Sequence, residues 1–252
     1  MTTELPRTAD VVVVGGGVHG ASVAYHLARR GARRVVLLER KFLASGPTGR
    51  SSALVRRFYA IDFLTRTANA SATTFQHWAE RIGGDPGFRQ VGVLWLVDAS
   101  RAENLRRNVE RARGLGANVA TQSPAGVQAI VPAMAVDDVA LGAYEPESGY
   151  ADAAMTTNAF ATRARELGAT IAQYVTVEGI LTGGGRVTGV GTSAGEIHAP
   201  AVGDVMAQVV LDGHAPGWDL APFRWSRFRD NALLPRASAA DPPHTGGQAL
   251  TS

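Results

Sequence analysis

The residues best suited to chemistry are Gly15-Gly16-Gly17-Val18-His19-Gly20, a G-x-G-x-x-G run that follows four valines and opens a helix-forming stretch. Each glycine spacing has its own task. Gly15 permits a tight turn, Gly17 lets the backbone approach a pyrophosphate, and Gly20 lets helix and strand pack closely, helped by small Ala24 one turn later. Val18 and His19 lie inside the turn, facing pyrophosphate rather than a reacting ring. Glu39 stands nineteen positions beyond Gly20, at the end of a second apolar run. A carboxylate there accepts hydrogen bonds from both hydroxyls of an adenosine ribose and repels a 2′-phosphate, which disfavours NADP. The plain alternative is a glycine-rich turn with no ligand, and the complete strand, turn, helix and acid context argues against it.

A second loop separates FAD from NAD. Ser45-Gly46-Pro47-Thr48-Gly49-Arg50-Ser51-Ser52 is polar and glycine-containing, and it follows the acidic strand end. Thr48, Gly49, Arg50, Ser51 and Ser52 offer hydroxyls, backbone N–H groups and a guanidinium for a second approach to a pyrophosphate. A simple NAD domain would run into a helix here. An ordinary surface loop is the other reading.

Composition narrows the remaining classes. The 252 residues, 45% hydrophobic and 19% charged, suffice to bury one large core or two modest ones. The absence of cysteine excludes disulfides, cysteine-ligated metals and a cysteinyl cofactor link. No apolar run is long enough to span a bilayer, and the leader is acidic and polar, so a cytoplasmic protein without membrane association is expected. The net charge of +3 rests on scattered arginines, with Lys41 the only lysine. The clusters Arg106–Arg107–Arg111–Arg113 and Arg224–Arg227–Arg229 carry no nucleic-acid motif and read as solvated faces.

The elements that must position these groups alternate from the start. Asp10 to Val14 reads as a strand, Gly20 to Arg30 as a helix stopped by Gly31, and Val35 to Leu38 as a second strand, together a βαβ unit. Ala68, Ala72, Phe75, Ala79 and Ile82 recur at helical spacing. Val91 to Val97 is expected to be a strand, and Ser100 with Glu103 a capping box for the next helix. Ser123–Pro124 opens a short helix. A strand near Val139 to Tyr144 and a helix around Thr157 to Leu167 follow. A meander comes next, from Thr170 to Val177, Arg186 to Thr192 and Glu196 to His198, and Ala201 to Leu211 is expected to form one helix. The fold class is α/β: a Rossmann-type βαβ unit with a partial α+β antiparallel substrate domain. Residues 1–82 and 155–211 are expected to build the discontinuous nucleotide-binding domain, and 83–154 the partial substrate domain. Residues 230–252 read as a disordered tail.

These motifs resemble the D-amino-acid-oxidase-like superfamily of FAD-dependent oxidoreductases, and more closely its sarcosine, dimethylglycine and glycine oxidase-type members, including sarcosine oxidase β-subunits. Besides the two loops, the resemblance runs through Leu38-Glu39-Arg40, Ser52-Ala53-Leu54-Val55-Arg56, Gly92-Val93-Leu94-Trp95, Glu147-Ser148-Gly149-Tyr150-Ala151-Asp152 and Arg186-Val187-Thr188-Gly189-Val190. It implies that Glu39 and Arg40 hold the adenosine, that Thr48 to Ser52 line the pyrophosphate and flavin side, and that the backbone of Val177 meets the adenine. It also implies that Arg56 binds the substrate carboxylate, for which a planar, permanently charged fork is suited. A surface arginine beside Arg57 is the other reading of Arg56. Tyr59 lines the same pocket or belongs to the core. The implied reaction is hydride transfer to flavin from a C–H bond next to the nitrogen of an amino acid or secondary amine such as sarcosine. Imine hydrolysis and flavin reoxidation follow.

Beyond Pro200 the chain departs from the pattern. A hydrophobic strand should return to the Rossmann sheet there, but the residues from Ala201 resemble the family's last helix instead, as though two distant parts had been joined. The expectation is an unpaired neighbouring strand, a substrate pocket lacking a wall and weak or absent activity. The alternatives are a flavin-binding remnant or accessory subunit, which leaves room for a partner subunit, and an NAD-dependent dehydrogenase, which the Thr48–Ser52 loop disfavours.

Overall fold

The computed structural model describes residues 5–202, with the exception of residues 185 and 200. The strands are β1 Val11–Val14, β2 Val35–Glu39, β3 Leu54–Val55, β4 Arg89–Gln90, β5 Val93–Val97, β6 Ala120–Gln122, β7 Leu141–Glu145, β8 Gly149–Tyr150, β9 Thr170–Gln173, β10 Val177–Gly183, β11 Arg186–Thr192, β12 Gly195–His198 and β13 Ala201–Val202. The helices are α1 Val18–Arg29, α2 Asp62–Gln76, α3 Trp78–Arg81, α4 Ala102–Gly114, α5 Pro124–Ile130 and α6 Ala153–Glu166. The described residues form two compact units, one of residues 5–55, 73–90 and 149–202, the other of 56–72 and 91–148.

The first unit is built on a parallel sheet in the order β13-β1-β2-β9. Strand periodicity places Val11, Val13, Val35, Leu37 and Ile171 on one face, against Ala21, Ala24, Leu27 and Ala28 of α1 and Phe160, Ala161 and Ala164 of α6. Val12, Val36, Leu38 and Ala172 take the other face, against Val190, Ile197 and Ala199. Those last residues belong to or follow the antiparallel sheet β10-β11-β12. Burial on both faces explains why β1 and β2 read as unbroken apolar runs. A small sheet of β3, β8 and β4 completes the unit.

The second unit packs α4 against the sheet β5-β7-β6. Leu105, Val109 and Ala112 join Phe58, Leu141 and Ala143 in its core. The α/β class with an antiparallel second sheet holds, and four local expectations change. Thr170–Gln173 is no part of the meander: it pairs parallel with β2, and the meander begins at Val177. The cap before α4 is Asp98, whose side chain accepts from Ser100 N–H, rather than Ser100 with Glu103. The sixth helix begins earlier than expected, at Ala153, because Asp152 accepts from Met155 N–H at 2.7 Å.

The fourth change bears on the sheet. Ala201–Val202 is a strand, paired with Val11 and Val12 of β1, rather than the start of a helix. Two residues therefore pair with the first half of the β1 edge that was expected to lie unpaired, because an open N–H and C=O row outweighs alanine's helix preference. The remainder of the expected helix, residues 203–211, and the tail 230–252 lie outside the described residues.

Where α1 meets α6, the rings of Tyr25 and His26 lie 5.6 and 6.2 Å from that of Phe160. Burial, aided by the charges of Arg29 and Arg30, holds the His26 imidazole below its ordinary pKa. The unfolded chain takes up that proton first, so the His26 contribution is present above the ordinary imidazole value and is lost as pH falls through it towards the folded value. The thermal midpoint should therefore drop between about pH 7.5 and about pH 5.5, the range in which imidazole titrates. His26→Gln should flatten that part of the profile, and an unchanged slope in the variant would assign the drop to other groups.

Candidate functional site

The turn from β1 into α1 is held by its neighbours. Gly15 has φ +107°, a conformation open to glycine, and its N–H donates to the Leu38 carbonyl at 2.8 Å. A Cβ on Gly20 would lie 2.0 Å from the Gly15 carbonyl oxygen, so only glycine lets the helix start this close to the strand. The first helical hydrogen bond runs from Ala21 N–H to the Gly17 carbonyl. The N–H of Val18 donates to Thr48 Oγ1 at 3.1 Å, while those of Gly17, His19 and Gly20 have no carbonyl of their own helix to meet. No acidic side chain occupies the first turn. Unpaired amides at a positive helix end are an anion-accepting arrangement, and this donor set fits a pyrophosphate. The His19 side chain is exposed.

The second loop comes to the same place. Ala44 N–H donates to the Gly16 carbonyl at 2.9 Å, and Gly49 N–H to the Ala44 carbonyl at 3.0 Å. Thr48 to Arg50 form one 3-10 turn that sets the Thr48 hydroxyl against α1. Ser51 Oγ accepts from Ala53 N–H, and the Arg40, Arg50, Ser51 and Ser52 side chains are exposed. The Glu39 carboxylate is more occupied than its sequence position suggests. Oε2 accepts from Gly16 N–H at 2.7 Å, and Oε1 from Lys41 N–H at 2.9 Å and Ser45 Oγ at 3.4 Å. Of the roughly four lone-pair sites of a carboxylate, about one remains for a ribose hydroxyl. The carboxylate thus binds its own loops together. Tyr174 and Val175 donate backbone N–H to the carbonyls of Lys41 and Glu39, which ties the segment before Val177, the first residue of β10, to the end of β2.

Arg56 belongs to the second unit and directly follows β3. Its guanidinium carbon lies 4.0 Å from the centroid of the Tyr59 ring and 4.5 Å from that of Trp95, within cation–π range of both. Nη1 donates to the Phe58 carbonyl at 3.2 Å, and among the described residues no carboxylate pairs with it. Tyr59 is fixed in turn, its carbonyl accepting from Arg111 Nη2 at 2.8 Å and Thr65 Oγ1 at 3.1 Å. Ring contacts leave the rim of the guanidinium for hydrogen bonding, and that rim is the edge that matches a carboxylate. The surface-arginine reading of Arg56 is therefore replaced by a half-buried, aromatic-held cation. Sequence reasoning missed Trp95 as the second ring, because an aromatic residue in a strand reads as core until a distant partner is known.

Two substitutions separate the turn from general stability. Gly20→Ala should abolish flavin retention after desalting, because the new methyl would displace the Gly15 carbonyl. Gly114→Ala meets nothing within 4 Å and should leave flavin content unchanged. The visible flavin absorbance per protein measures both, and a flavin-replete Gly20→Ala would mean that the turn does not hold the cofactor.

Comparison with known proteins agrees with this geometry. Residues 10–211 match the family described as FAD dependent oxidoreductase (DAO). The β subunit of sarcosine oxidase from Arthrobacter sp. is 35% identical over 207 residues, covering 79% of this chain and 51% of that protein. Mitochondrial sarcosine dehydrogenase from Homo sapiens is 33% identical over 205 residues, covering 79% of this chain and 22% of that protein. The crystal structure of L-proline dehydrogenase from P. horikoshii superposes with a TM-score of 0.75 at 31% identity, covering 82% of this chain and 55% of that one. The chain thus spans about half the length, or less, of the curated relatives it matches. With most of its length matched and a Rossmann-type turn in place, this chain belongs to the DAO family of FAD-dependent oxidoreductases.

Proposed function

We propose that this chain is an FAD-dependent oxidoreductase acting on the C–N bond of a small amino acid or N-methyl amino acid such as sarcosine, with Arg56 as the residue that takes the substrate carboxylate. The observation that carries this reading is the guanidinium of Arg56, held against two aromatic rings with its rim free of any carboxylate among the described residues. A half-buried, permanently charged group without an anion is costly to keep, and an anionic ligand removes that cost. The names of the sarcosine-oxidising relatives support the substrate class.

In this reading the amides of Gly17, His19 and Gly20 and the Thr48 hydroxyl hold the pyrophosphate of FAD. Glu39, Arg40 and the segment leading to Val177 hold the adenosine end, and Gly49 to Ser52 continue towards the flavin. Bound FAD would supply the two-electron acceptor for the hydride. The protein's share is placement: the planar fork of Arg56 meets the carboxylate in two-pronged fashion and so fixes the substrate carbon next to nitrogen. A partner subunit is part of the proposal, supported by the relative named as a β subunit and by the span of about half of that protein.

The test is a visible spectrum of the purified, desalted full chain, followed by anaerobic addition of sarcosine. The expected result is a flavin spectrum that bleaches, with Arg56→Met raising the half-saturating sarcosine concentration roughly 10- to 100-fold, the scale of one lost charge-assisted hydrogen-bonded pair. Flavin that does not bleach would support binding without turnover. Colourless protein would remove the proposal.

A further inference from the structure

Glu145, the last residue of β7, is fully buried, and its two carboxylate oxygens accept four hydrogen bonds. Oε2 accepts from Arg57 N–H at 2.6 Å, Phe58 N–H at 2.9 Å and Ser148 Oγ at 2.9 Å, and Oε1 accepts from Trp95 Nε1–H at 2.8 Å. A buried carboxylate is expensive unless its lone pairs are filled, and this one is saturated by donors from three separate segments. A strand end needs no such group. Its effect here is to join the backbone that follows Arg56 to the indole on which the Arg56 guanidinium lies.

The bonds form a closed loop. Arg56 Nη1 donates to the Phe58 carbonyl, Phe58 N–H donates to Glu145, Glu145 accepts from the Trp95 indole, and the Trp95 ring lies against Arg56. Tyr59, which carries the other ring, has its backbone carbonyl held without Glu145, by Arg111 and Thr65. Losing the carboxylate would therefore release one of the two rings and the peptide that receives Nη1, while leaving the other ring in place. We infer that Glu145 is a positioning residue for substrate-carboxylate binding, acting through Trp95 and the Arg57–Phe58 backbone to fix the plane and rim of the Arg56 guanidinium. This rests on the reading of Arg56 as the carboxylate-binding residue. Glu145 itself faces protein donors on every hydrogen bond it makes among the described residues.

A positioning role predicts a loss confined to anionic ligands. The experiment measures dissociation constants of propionate and of its neutral isostere propionamide by saturation-transfer NMR on the full chain, so that nothing is oxidised. The parent and the variants Glu145→Gln, Trp95→Phe and Arg56→Met are compared, with far-UV circular dichroism as the folding control. Gln keeps the size of Glu but presents N–H to donors. Glu145→Gln should weaken propionate about tenfold and leave propionamide within about twofold, a tenfold change being one decade in the dissociation constant. Trp95→Phe, which keeps a ring but removes the indole N–H, should show a smaller loss in the same direction. Arg56→Met should erase the preference for propionate. If Glu145→Gln keeps the parent's preference while Arg56→Met loses it, the positioning role is overturned and the Arg56 reading stands. If Arg56→Met also keeps the preference, or the parent has none, both fall together. Should Glu145→Gln fail to fold, Trp95→Phe decides, and a preference equal to the parent's overturns the proposal.

Discussion

Everything in the nucleotide-binding unit depends on how closely α1 approaches β1. The gap at Gly20 is so narrow that a methyl group would meet the Gly15 carbonyl at 2.0 Å. Because that gap is closed, Ala21 and Ala24 reach the sheet and are fully buried, and Leu27 one turn on is as well. The same closeness sets the first turn of α1 beside Thr48, whose hydroxyl takes one orphan N–H and leaves the others for an anion. The Glu39 carboxylate then draws the end of β2 onto Gly16. A larger residue at position 20 would disturb the strand end, the helix start and the second loop together, since all three share this contact.

The sheet obeys a second constraint. A parallel strand buried on both faces must be apolar at every position, and β1 and β2 comply from Val11 to Val14 and from Val35 to Leu38. Helices α1 and α6 cover one face, and residues of the antiparallel sheet β10-β11-β12 cover the other. At its ends the sheet is completed by β9, which pairs along β2, and by the two residues of β13, which pair with Val11 and Val12 of β1.

What could be read from the sequence follows from how local each signal is. The βαβ unit was legible because its strand, turn, helix and acid lie within residues 11–39, and each feature has a steric reason that needs no distant partner. Strand β9 was misplaced because Thr170–Gln173 looks the same whether its neighbour is parallel or antiparallel, and only β2 decides. Ala201–Val202 was read as helix because alanine and the following pattern favour it, whereas the open edge of β1 imposes a strand. The cap before α4 is Asp98 rather than Ser100 because Ser100 lies inside the 3-10 turn of residues 99–101, which leaves Asp98 at the extended position before it to accept from the Ser100 N–H. Glu39 was found, but its engagement with Gly16, Lys41 and Ser45 was not, since that depends on how the loops fold back.

The same argument explains why the cofactor end of the chain was clearer than the carboxylate end. Arg56 could be named only by resemblance, and what makes it more than a surface cation is its contact with Trp95, thirty-nine positions away in sequence. Trp95 in turn is oriented by Glu145, another fifty positions on. In the sequence Glu145 stands in Glu145-Pro146-Glu147, where nothing local separates a buried acid from a strand end turning to solvent. In the fold the group is fully buried and accepts four hydrogen bonds. Among the described residues Glu145 is satisfied by N–H and O–H donors and makes no direct ion pair with Arg56. Among the described residues Arg56 thus meets two rings and a carbonyl while Glu145 meets amides, an indole N–H and a hydroxyl, so the two opposite charges serve different partners within one hydrogen-bonded loop.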